Sequence, residues 1–372
     1  MTSTKIYTMR KILFVTFANQ SAYSGGEQCA KRNLKAIEDI YGQENVTAYI
    51  IRPDNAERKI RDKLVRMAEI MKCYMGGLRK SALNDIIHIV KEQQITDLFI
   101  DSSQLGYLAK KIKQIAPKTK VYVFFQNIEY DFFSSTTLHS YDYLHLFWIP
   151  LSFQNEKWAC RWADKVVVLN QKDSHRLEKL YHRQANAIIP ITMVDDYAPT
   201  MEAMKAPTSR PLSAVFVGSY FTGNVKGLKW FCQTVVPCVD LRLTIVGAGM
   251  DKLANDIAPS DKISIHGTVR DLAPYYEEAD VALIPITSGG GMKVKTAEAL
   301  KYGKHIIGTR NALEGYEGDC EIITECNTAD EFVQAIEKYR NPWKFQPKAR
   351  QLFLEKYAYE ASLLLFHQLF QS

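Results

Sequence analysis

The chain has 372 residues, 47% of them hydrophobic and 24% charged, with a formal net charge of +6. That length suits two domains at ~150 residues each, and the balance of residue types excludes a disordered chain. No stretch approaches the roughly 18 apolar residues of a membrane helix, and the modest positive charge gives no ground for a nucleic-acid partner.

No signal peptide is expected from the first residues, whose only apolar run, Ile12 to Val15, is the length of a strand. The chain is therefore expected in the cytoplasm. Seven cysteines are scattered without CxxC pairs or zinc spacing, which fits reduced thiols in a reducing compartment. Short apolar runs at 11–17, 46–51, 98–100, 121–125, 165–169 and 187–189 alternate with amphipathic stretches at 27–40, 83–93 and 105–115. Such alternation predicts βαβ units around a parallel sheet. Between 58 and 80 the basic residues Arg58, Lys59, Arg61, Lys63, Arg66, Lys72, Arg79 and Lys80 outnumber Asp62 and Glu69, while Ile60, Leu64, Met67, Met71 and Met75 recur at helical spacing. Two readings stand: a core helix with a solvated flank, or a surface that touches anionic lipid or a lipid-linked acceptor.

At 195–211 the composition shifts to DDYAPTMEAMKAPTSRP, with three prolines and no apolar period, and an inter-domain linker is expected there. The alternation then restarts, with strands expected at 214–217, 241–246, 263–266, 281–284, 305–307 and 321–323 and helices at 226–235, 272–278, 297–302 and 330–339. The predicted architecture is α/β, two Rossmann-like domains (1–194 and 212–346) facing a central cleft, with the segment 347–372 packing back on the first. Strand C-termini face such a cleft, which is the default binding site.

The segment Ser288-Gly-Gly-Gly-Met-Lys-Val-Lys-Thr-Ala-Glu-Ala-Leu follows the expected strand 281–284 and opens a helix. Gly289, Gly290 and Gly291 allow close backbone approach, and a helix N-terminus offers unpaired N–H groups to an anion. Lys293 and Lys295 add two cations. Glu298, one turn beyond Lys295, can accept hydrogen bonds from the hydroxyls of a ribose. Diphosphate is the anion such a turn suits, and preorganised cations lower the barrier to its departure from a sugar. No Asp-x-Asp pair follows a strand, so no metal site is expected and lysines take the place of a cation cofactor. Val246-Gly-Ala-Gly-Met lacks the third glycine of a dinucleotide fingerprint.

This segment resembles the donor-binding motif of retaining glycosyltransferases of family 4, the GT-B glycosyl transferases of group 1, whose pattern reads roughly G-G-G-[TMV]-[RK]-x-K-x-x-E-A. The likeness extends to Ile265-His-Gly-Thr-Val-Arg-Asp, Lys301-Tyr-Gly-Lys-His-Ile-Ile-Gly-Thr, Ala312-Leu-Glu-Gly and Phe216-Val-Gly-Ser-Tyr with Asn224 and Lys226. It is sparser in Ser24-Gly-Gly-Glu, Asn127-Ile-Glu and Trp162-Ala-Asp-Lys-Val-Val-Val-Leu-Asn. The resemblance implies a metal-independent transfer of a sugar from a nucleotide diphosphate to a glycan or lipid-linked acceptor, in bacterial surface polysaccharide assembly. It implies further that Lys293 and Lys295 neutralise the leaving diphosphate. The amides of Gly290, Gly291 and Met292 would bind its oxygens, and Gly218, Asn224, Lys226 and Gly289 would line the donor site. Glu298 would hold the ribose and Arg270 would lie beside the base, with Asp271 capping the next helix.

On the acceptor side it points to Gly25 and Gly26 as a loop approaching the donor, and to Gln126, Asn127 and Glu129. The chain departs from the pattern at Gly290, where relatives carry an acidic residue, at Ser219 in place of an arginine, and at Gln126 in place of a histidine. Gly290 and Gln126 keep open a non-catalytic nucleotide-sugar-binding partner; the double-Rossmann plan is also that of a nucleotide-sugar epimerase, whose additional acid–base carboxylates and histidines are not found at matching places.

Overall fold

A computed structural model of the chain describes residues 10–17, 25–52, 60–140 and 146–372. The chain forms two units, one running to Pro190 and including Ser362–Ser372, the other spanning Ile191–Ala361.

The first unit is built on strands β1 (Ile12–Phe17), β2 (Val46–Ile51), β3 (Asp97–Ile100), β4 (Lys120–Phe125), β5 (Lys165–Val168) and β6 (Ala187–Ile188). They pair in parallel in the order β2-β1-β3-β4-β5-β6. A parallel sheet with helices on both faces buries both sides of each strand, so its strands read as continuous apolar runs rather than alternating ones. Leu13, Val15, Leu98, Ile100, Val121, Val123, Phe125, Val166 and Val168 supply one face of the core. On the other face Phe14 stacks on Phe99 at 5.4 Å. Phe366 and Phe370 complete that layer: Phe370 lies 4.5 Å from Tyr122 and Phe366 6.0 Å from Phe99. Arg10 ties the layer at its edge, pairing with Asp97 at 2.8 Å and donating to the Phe370 carbonyl. This aromatic packing explains why residues 362–372 belong to the first unit.

The second unit carries β7 (Leu212–Val217), β8 (Leu241–Val246), β9 (Ile263–His266), β10 (Val281–Ile284), β11 (His305–Gly308) and β12 (Ile323–Glu325). Their order is β12-β11-β10-β7-β8-β9, all parallel. The chain moves outward from β7 through β8 and β9, then returns to β7's other side with β10. Such a switch point opens a crevice at the C-terminal ends of β7 and β10, where ligands of doubly wound sheets bind. In the first sheet the equivalent point falls between β1 and β3.

Several expectations shift. The proline-rich segment 195–211 belongs to the second unit, because its polar side chains are engaged there: Asp195 pairs with Arg350 at 2.6 Å, Asp196 pairs with Lys301, and the Tyr197 hydroxyl donates to Glu277 at 3.1 Å. Residues 347–361 likewise fall in the second unit, so only the end of the segment 347–372 joins the first. The last strand starts two residues later than expected, since the Asp319 carbonyl accepts from the amides of both Ile322 and Ile323 and closes a turn. Gly25 and Gly26 open the helix Gly25–Tyr41 and are not part of a loop.

Arg58 and Lys59 lie outside the described residues. The helix Ile60–Met71 leaves Met67 62% and Met71 68% exposed, whereas Met75 is buried. The expected single apolar stripe is therefore split between solvent and core. Arg66 turns inward, donating to the Leu78 carbonyl at 2.6 Å. Among the described residues no helix is long and apolar enough to cross a membrane.

Candidate functional site

β10 delivers the chain, buried through Ile286, into the exposed turn at 287–290. Gly289 has φ +118° and Gly291 φ +66°, conformations that cost a side-chain-bearing residue roughly 1–2 kcal/mol. The turn ends in the helix Val294–Lys301, with Lys293 at its N-cap. Among the described residues the amides of Gly290, Gly291 and Met292 donate to no backbone acceptor. They stand beside the positive end of that helix, an arrangement suited to an anion.

The segment after β11 braces the turn. Asn311 Nδ2 donates to the Gly289 carbonyl at 2.9 Å, the Tyr316 hydroxyl donates to the Lys293 carbonyl at 2.7 Å, and Thr296 Oγ1 donates to the Ala312 carbonyl at 2.8 Å. Lys293 folds back under the turn. Its Nζ donates to the carbonyls of Gly291 at 2.5 Å and of Gly289 and Gly290 at 3.3 Å, with Glu314 at 3.8 Å. Its side chain is 11% exposed, so the charge lies inside the turn and not in bulk solvent.

Lys295 takes a different course. Its Nζ donates to Asn224 Oδ1 and lies 4.6 Å from the centre of the Phe216 ring. Asn224, on the helix Thr222–Thr234, donates in turn to the Ser219 carbonyl at 2.8 Å. Gly218 closes the group from below: a Cβ there would come within 3.0 Å of Asn224 Nδ2 and 3.1 Å of Lys295 Nζ. Burial pushes the Lys295 ammonium down to about 7, with Lys293 adding to the shift and Glu298 opposing it. Glu298 accepts from the Tyr276 hydroxyl at 3.3 Å, and the Tyr276 ring stacks on Tyr302 at 4.3 Å. Burial raises the Glu298 carboxyl, while Lys301, Tyr276 and Lys295 hold it back.

The second unit thus gathers Gly218, Asn224, Lys295, Glu298 and the glycine turn around the ends of β7 and β10. Lys226 is not among them. Two residues along the helix from Asn224 means about 200° around its axis, and Lys226 is exposed in an open depression lined by Tyr220, Thr222, Lys229 and Trp230. Arg270 is exposed as well. Asp271 Oδ1 accepts from the Ala273 amide at 2.9 Å at the start of the helix Ala273–Glu278.

In the first unit the acceptor-side residues surround two buried carboxyls that the sequence reading passed over. Asp101, at the end of β3, accepts from Asn33 Nδ2 at 2.8 Å, from Gln126 Nε2 at 2.8 Å and from Thr16 Oγ1 at 3.5 Å. Burial pushes it up to about 7 despite these donors. Glu156, on the helix Trp148–Trp162, accepts from the amides of Glu129 at 2.7 Å and Tyr130 at 3.3 Å, and from the Tyr181 hydroxyl at 2.7 Å. It thereby caps the helix Glu129–Ser140. Burial raises both Glu156 and Glu129, and Glu129 lifts Glu156 further. Asn127 Oδ1 is buried with no donor in reach. Among the described residues no group of three or more His, Cys, Asp or Glu side chains is placed to hold a metal ion.

Asp101, Glu156, Asn311 and Tyr316 were missed by sequence reasoning, and Phe216 was noted only as the start of its motif. Tyr316 and Asn311 flank the recognised Ala312-Leu-Glu-Gly run and could have been suspected from it; Asp101 and Glu156 carry no local signal.

Residues 211–341 match the family model described as glycosyl transferases group 1. The sequence matches no curated protein. The fold is GT-B, shared across nearly the full chain with solved structures of low identity. Sucrose-phosphate synthase from Thermosynechococcus elongatus superposes with a TM-score of 0.68 at 13% identity, covering 97% of this chain and 98% of that one. A glycosyltransferase from Rickettsia africae gives a TM-score of 0.64 at 16% identity, covering 98% of both chains. HepE from Anabaena, in a complex with UDP and glucose, gives 0.63 at 11% identity, covering 98% of this chain and 100% of that one.

Proposed function

We propose that this protein is a retaining, metal-independent glycosyltransferase that moves a sugar from a nucleotide diphosphate to a glycan or lipid-linked acceptor, in the assembly of a bacterial surface polysaccharide. The observation that carries the reading is the placement of Lys295. Its ammonium is held by Asn224 at the switch point of the second sheet, beside a turn whose amides have no backbone acceptor. The HepE complex supports a nucleotide sugar as donor, because a GT-B chain of the same extent holds UDP and glucose. The retaining course follows from the resemblance of the 288–300 segment to family 4.

In this reading the diphosphate binds the amides of Gly290, Gly291 and Met292, and Lys295 faces its oxygens. Breaking the sugar–phosphate bond puts charge on the departing diphosphate. A preorganised ammonium in a partly dry site stabilises that charge more than it stabilises the ground state. Lys293 contributes from beneath: by occupying the carbonyls of the turn, it turns the opposite face, with its N–H groups, toward the phosphate. Glu298 accepts from the ribose hydroxyls, with Tyr276 fixing its orientation. Gly218 and Asn224 shape the floor, and Arg270 is assigned to the base. Gln126, Asn127, Glu129 and the helix start at Gly25 and Gly26 form the acceptor-side group of the first unit.

The helix Ile60–Met71 extends the proposal to a cytoplasmic protein that is peripheral on the inner face of the membrane. Exposed Val65, Met67 and Met71, followed by the exposed Lys72, are an apolar surface with a basic flank.

Calorimetry against a panel of nucleotide sugars, starting with UDP-glucose, followed by turnover assays with glycan and lipid-linked acceptors, tests the proposal. Donor binding with transfer supports it. Donor binding without transfer or hydrolysis favours a non-catalytic partner, interconversion of the sugar favours an epimerase, and failure to bind any nucleotide sugar overturns the reading.

A further inference from the structure

The switch point of the first sheet has its own polar group, and its geometry fixes a direction. Asp101 is 1% exposed. A buried carboxylate is costly unless hydrogen-bonded, and here the donors come from three separate elements: Thr16 on β1, Asn33 on the helix Gly25–Tyr41, and Gln126 just after β4. Gln126 Nε2 donates twice, to Asp101 Oδ2 at 2.8 Å and to the Asp101 main-chain carbonyl at 3.2 Å.

Both of those partners accept hydrogen bonds. A glutamine amide has one donating and one accepting end. Turned over, it would set its oxygen against two oxygens, losing both hydrogen bonds and adding repulsion. The orientation of Gln126 is therefore dictated by Asp101. The remaining atom, Oε1, points along the first turn of the helix Gly25–Tyr41, where a Cβ on Gly26 would lie 2.7 Å from it.

We infer that Asp101 is a positioning residue that locks Gln126 as a hydrogen-bond acceptor, and that a carbohydrate bound at this end of the first sheet donates a hydroxyl proton to Gln126 Oε1. The ligand class rests on the glycosyltransferase reading; the lock does not. The C-terminal ends of strands at a switch point are where doubly wound sheets take ligands. A carboxylate buried there to orient one amide selects polarity: a hydroxyl can satisfy an outward oxygen, whereas an ether or carbonyl oxygen cannot.

The test uses the full chain at pH 8, above the value of about 7 to which burial pushes the Asp101 carboxyl. The side-chain amide protons of Gln126, identified by their loss in Gln126→Met, should lie downfield of the other glutamine amides and exchange slowly, and should shift part of the way to the bulk position in Asp101→Asn, which removes the charge but leaves the main-chain carbonyl. In Asn33→Ala, which strips only the other oxygen of Asp101, they should stay in place. A bulk-like Gln126 signal in the wild type, or an unmoved one in Asp101→Asn, overturns the lock. With UDP-glucose as donor and methyl α-D-glucoside as acceptor probe, Gln126→Met and Asp101→Asn should each lower acceptor kcat/KM about tenfold, the effect of one good hydrogen bond. The double variant should be no worse than Gln126→Met alone, because Asp101 acts through Gln126. A double variant about a hundredfold down overturns the positioning role. Wild-type protein that turns over none of the nucleotide-sugar panel counts against the functional reading, and the amide signal then decides the role of Asp101 by itself.

Discussion

Lys295 Nζ donates to Asn224 Oδ1, and this hydrogen bond joins the helix that follows β10 to the helix that follows β7. Those two strands are hydrogen-bonded neighbours although they are far apart in sequence, with Val281 opposite Ala214. The pair therefore spans the switch point itself. Asn224 is used at both ends of its amide, accepting from Lys295 and donating to Ser219. An ammonium has three N–H groups, and Asn224 takes one of them.

Replacing Lys295 with alanine or methionine should separate activity from stability. Removing one preorganised charge from a site of developing negative charge costs ~10²–10³ in kcat. Stability should hold or rise, because an ammonium pushed down to about 7 is disfavoured by the fold that contains it. Turnover of UDP-glucose and thermal unfolding measured on the same preparations check both halves. Unchanged turnover in Lys295→Ala would count decisively against the proposed chemistry. Asn224→Ala should show a smaller loss, about tenfold, since it frees the ammonium without removing it.

The same shift sets a pH dependence. Between about 7 and the ordinary lysine value of 10.5, the unfolded chain holds a proton at Lys295 that the folded chain lacks. Stability of the unliganded protein therefore rises with pH across that window. Lys304, also pushed to about 7 by burial, adds to this trend while donating to the carbonyls of Ala279 and Lys344. Ligand binding distinguishes the two lysines. A diphosphate against Lys295 restores the value of the charge, so binding should take up a proton and weaken as pH rises from 7 to 10. Calorimetry of UDP in buffers of different ionisation heat measures that uptake directly, and Lys295→Met should abolish it. Proton-neutral binding by the wild type would show that the ammonium does not meet the phosphates.

Much of this was legible in the sequence, and the gaps have physical causes. Strands buried on both faces announce themselves as short apolar runs, and the glycine turn is readable because only glycine tolerates its positive φ values. Lys293 is different: a four-carbon stem at a helix N-cap can reach forward or fold back, and spacing does not decide which. The motif resemblance groups Lys226 with Asn224, but the helix that carries both begins at Thr222, and the helical phase separates them. Asp101 meets Gln126 25 residues away and Asn33 68 residues away, contacts that no local pattern carries. The proline-rich segment reads as a linker because proline and small polar residues usually mean one, yet its aspartates find Lys301 and Arg350 more than 100 positions along the chain.

Glu298 offers a test specific to the ribose. Glu298→Gln should keep the shape of the site but weaken two accepting contacts to hydroxyls, lowering UDP affinity about tenfold. Inorganic pyrophosphate, which has no ribose, should bind with unchanged affinity. Tyr276→Phe should shift UDP affinity less, because it removes only the 3.3 Å hydrogen bond that orients the carboxyl. Equal losses for UDP and pyrophosphate would move Glu298 from ribose recognition to support of the turn.

The exposed methionines of the helix Ile60–Met71 can be tested without substrate. Full insertion of an aliphatic side chain is worth ~1.5–3 kcal/mol, and a shallow interfacial helix gains a fraction of that per residue. Met67→Ser with Met71→Ser should lower co-sedimentation with phosphatidylglycerol-containing vesicles about tenfold. Binding should fall as salt is raised, as expected where lysines meet anionic lipid. Equal binding to vesicles of neutral phosphatidylcholine would remove the electrostatic half of the proposal.

Gly26→Ala is the sharpest probe of the first unit. Gly26 lies in the opening turn of a helix and is not in the left-handed region, so alanine fits its backbone and should favour the helix by up to ~1 kcal/mol. The new methyl group would lie 2.7 Å from Gln126 Oε1, and the next neighbour, Gln126 Cδ, is 3.9 Å away. The collision is thus with the free end of one side chain, which can move aside only by loosening its two hydrogen bonds to Asp101. The helix gain and the loosened hydrogen bonds of buried Asp101 oppose each other, so thermal stability should change little while acceptor kcat/KM falls about tenfold. That combination cannot come from a damaged fold. It would arise only if the glycine is there to leave room for the glutamine oxygen and whatever donates to it.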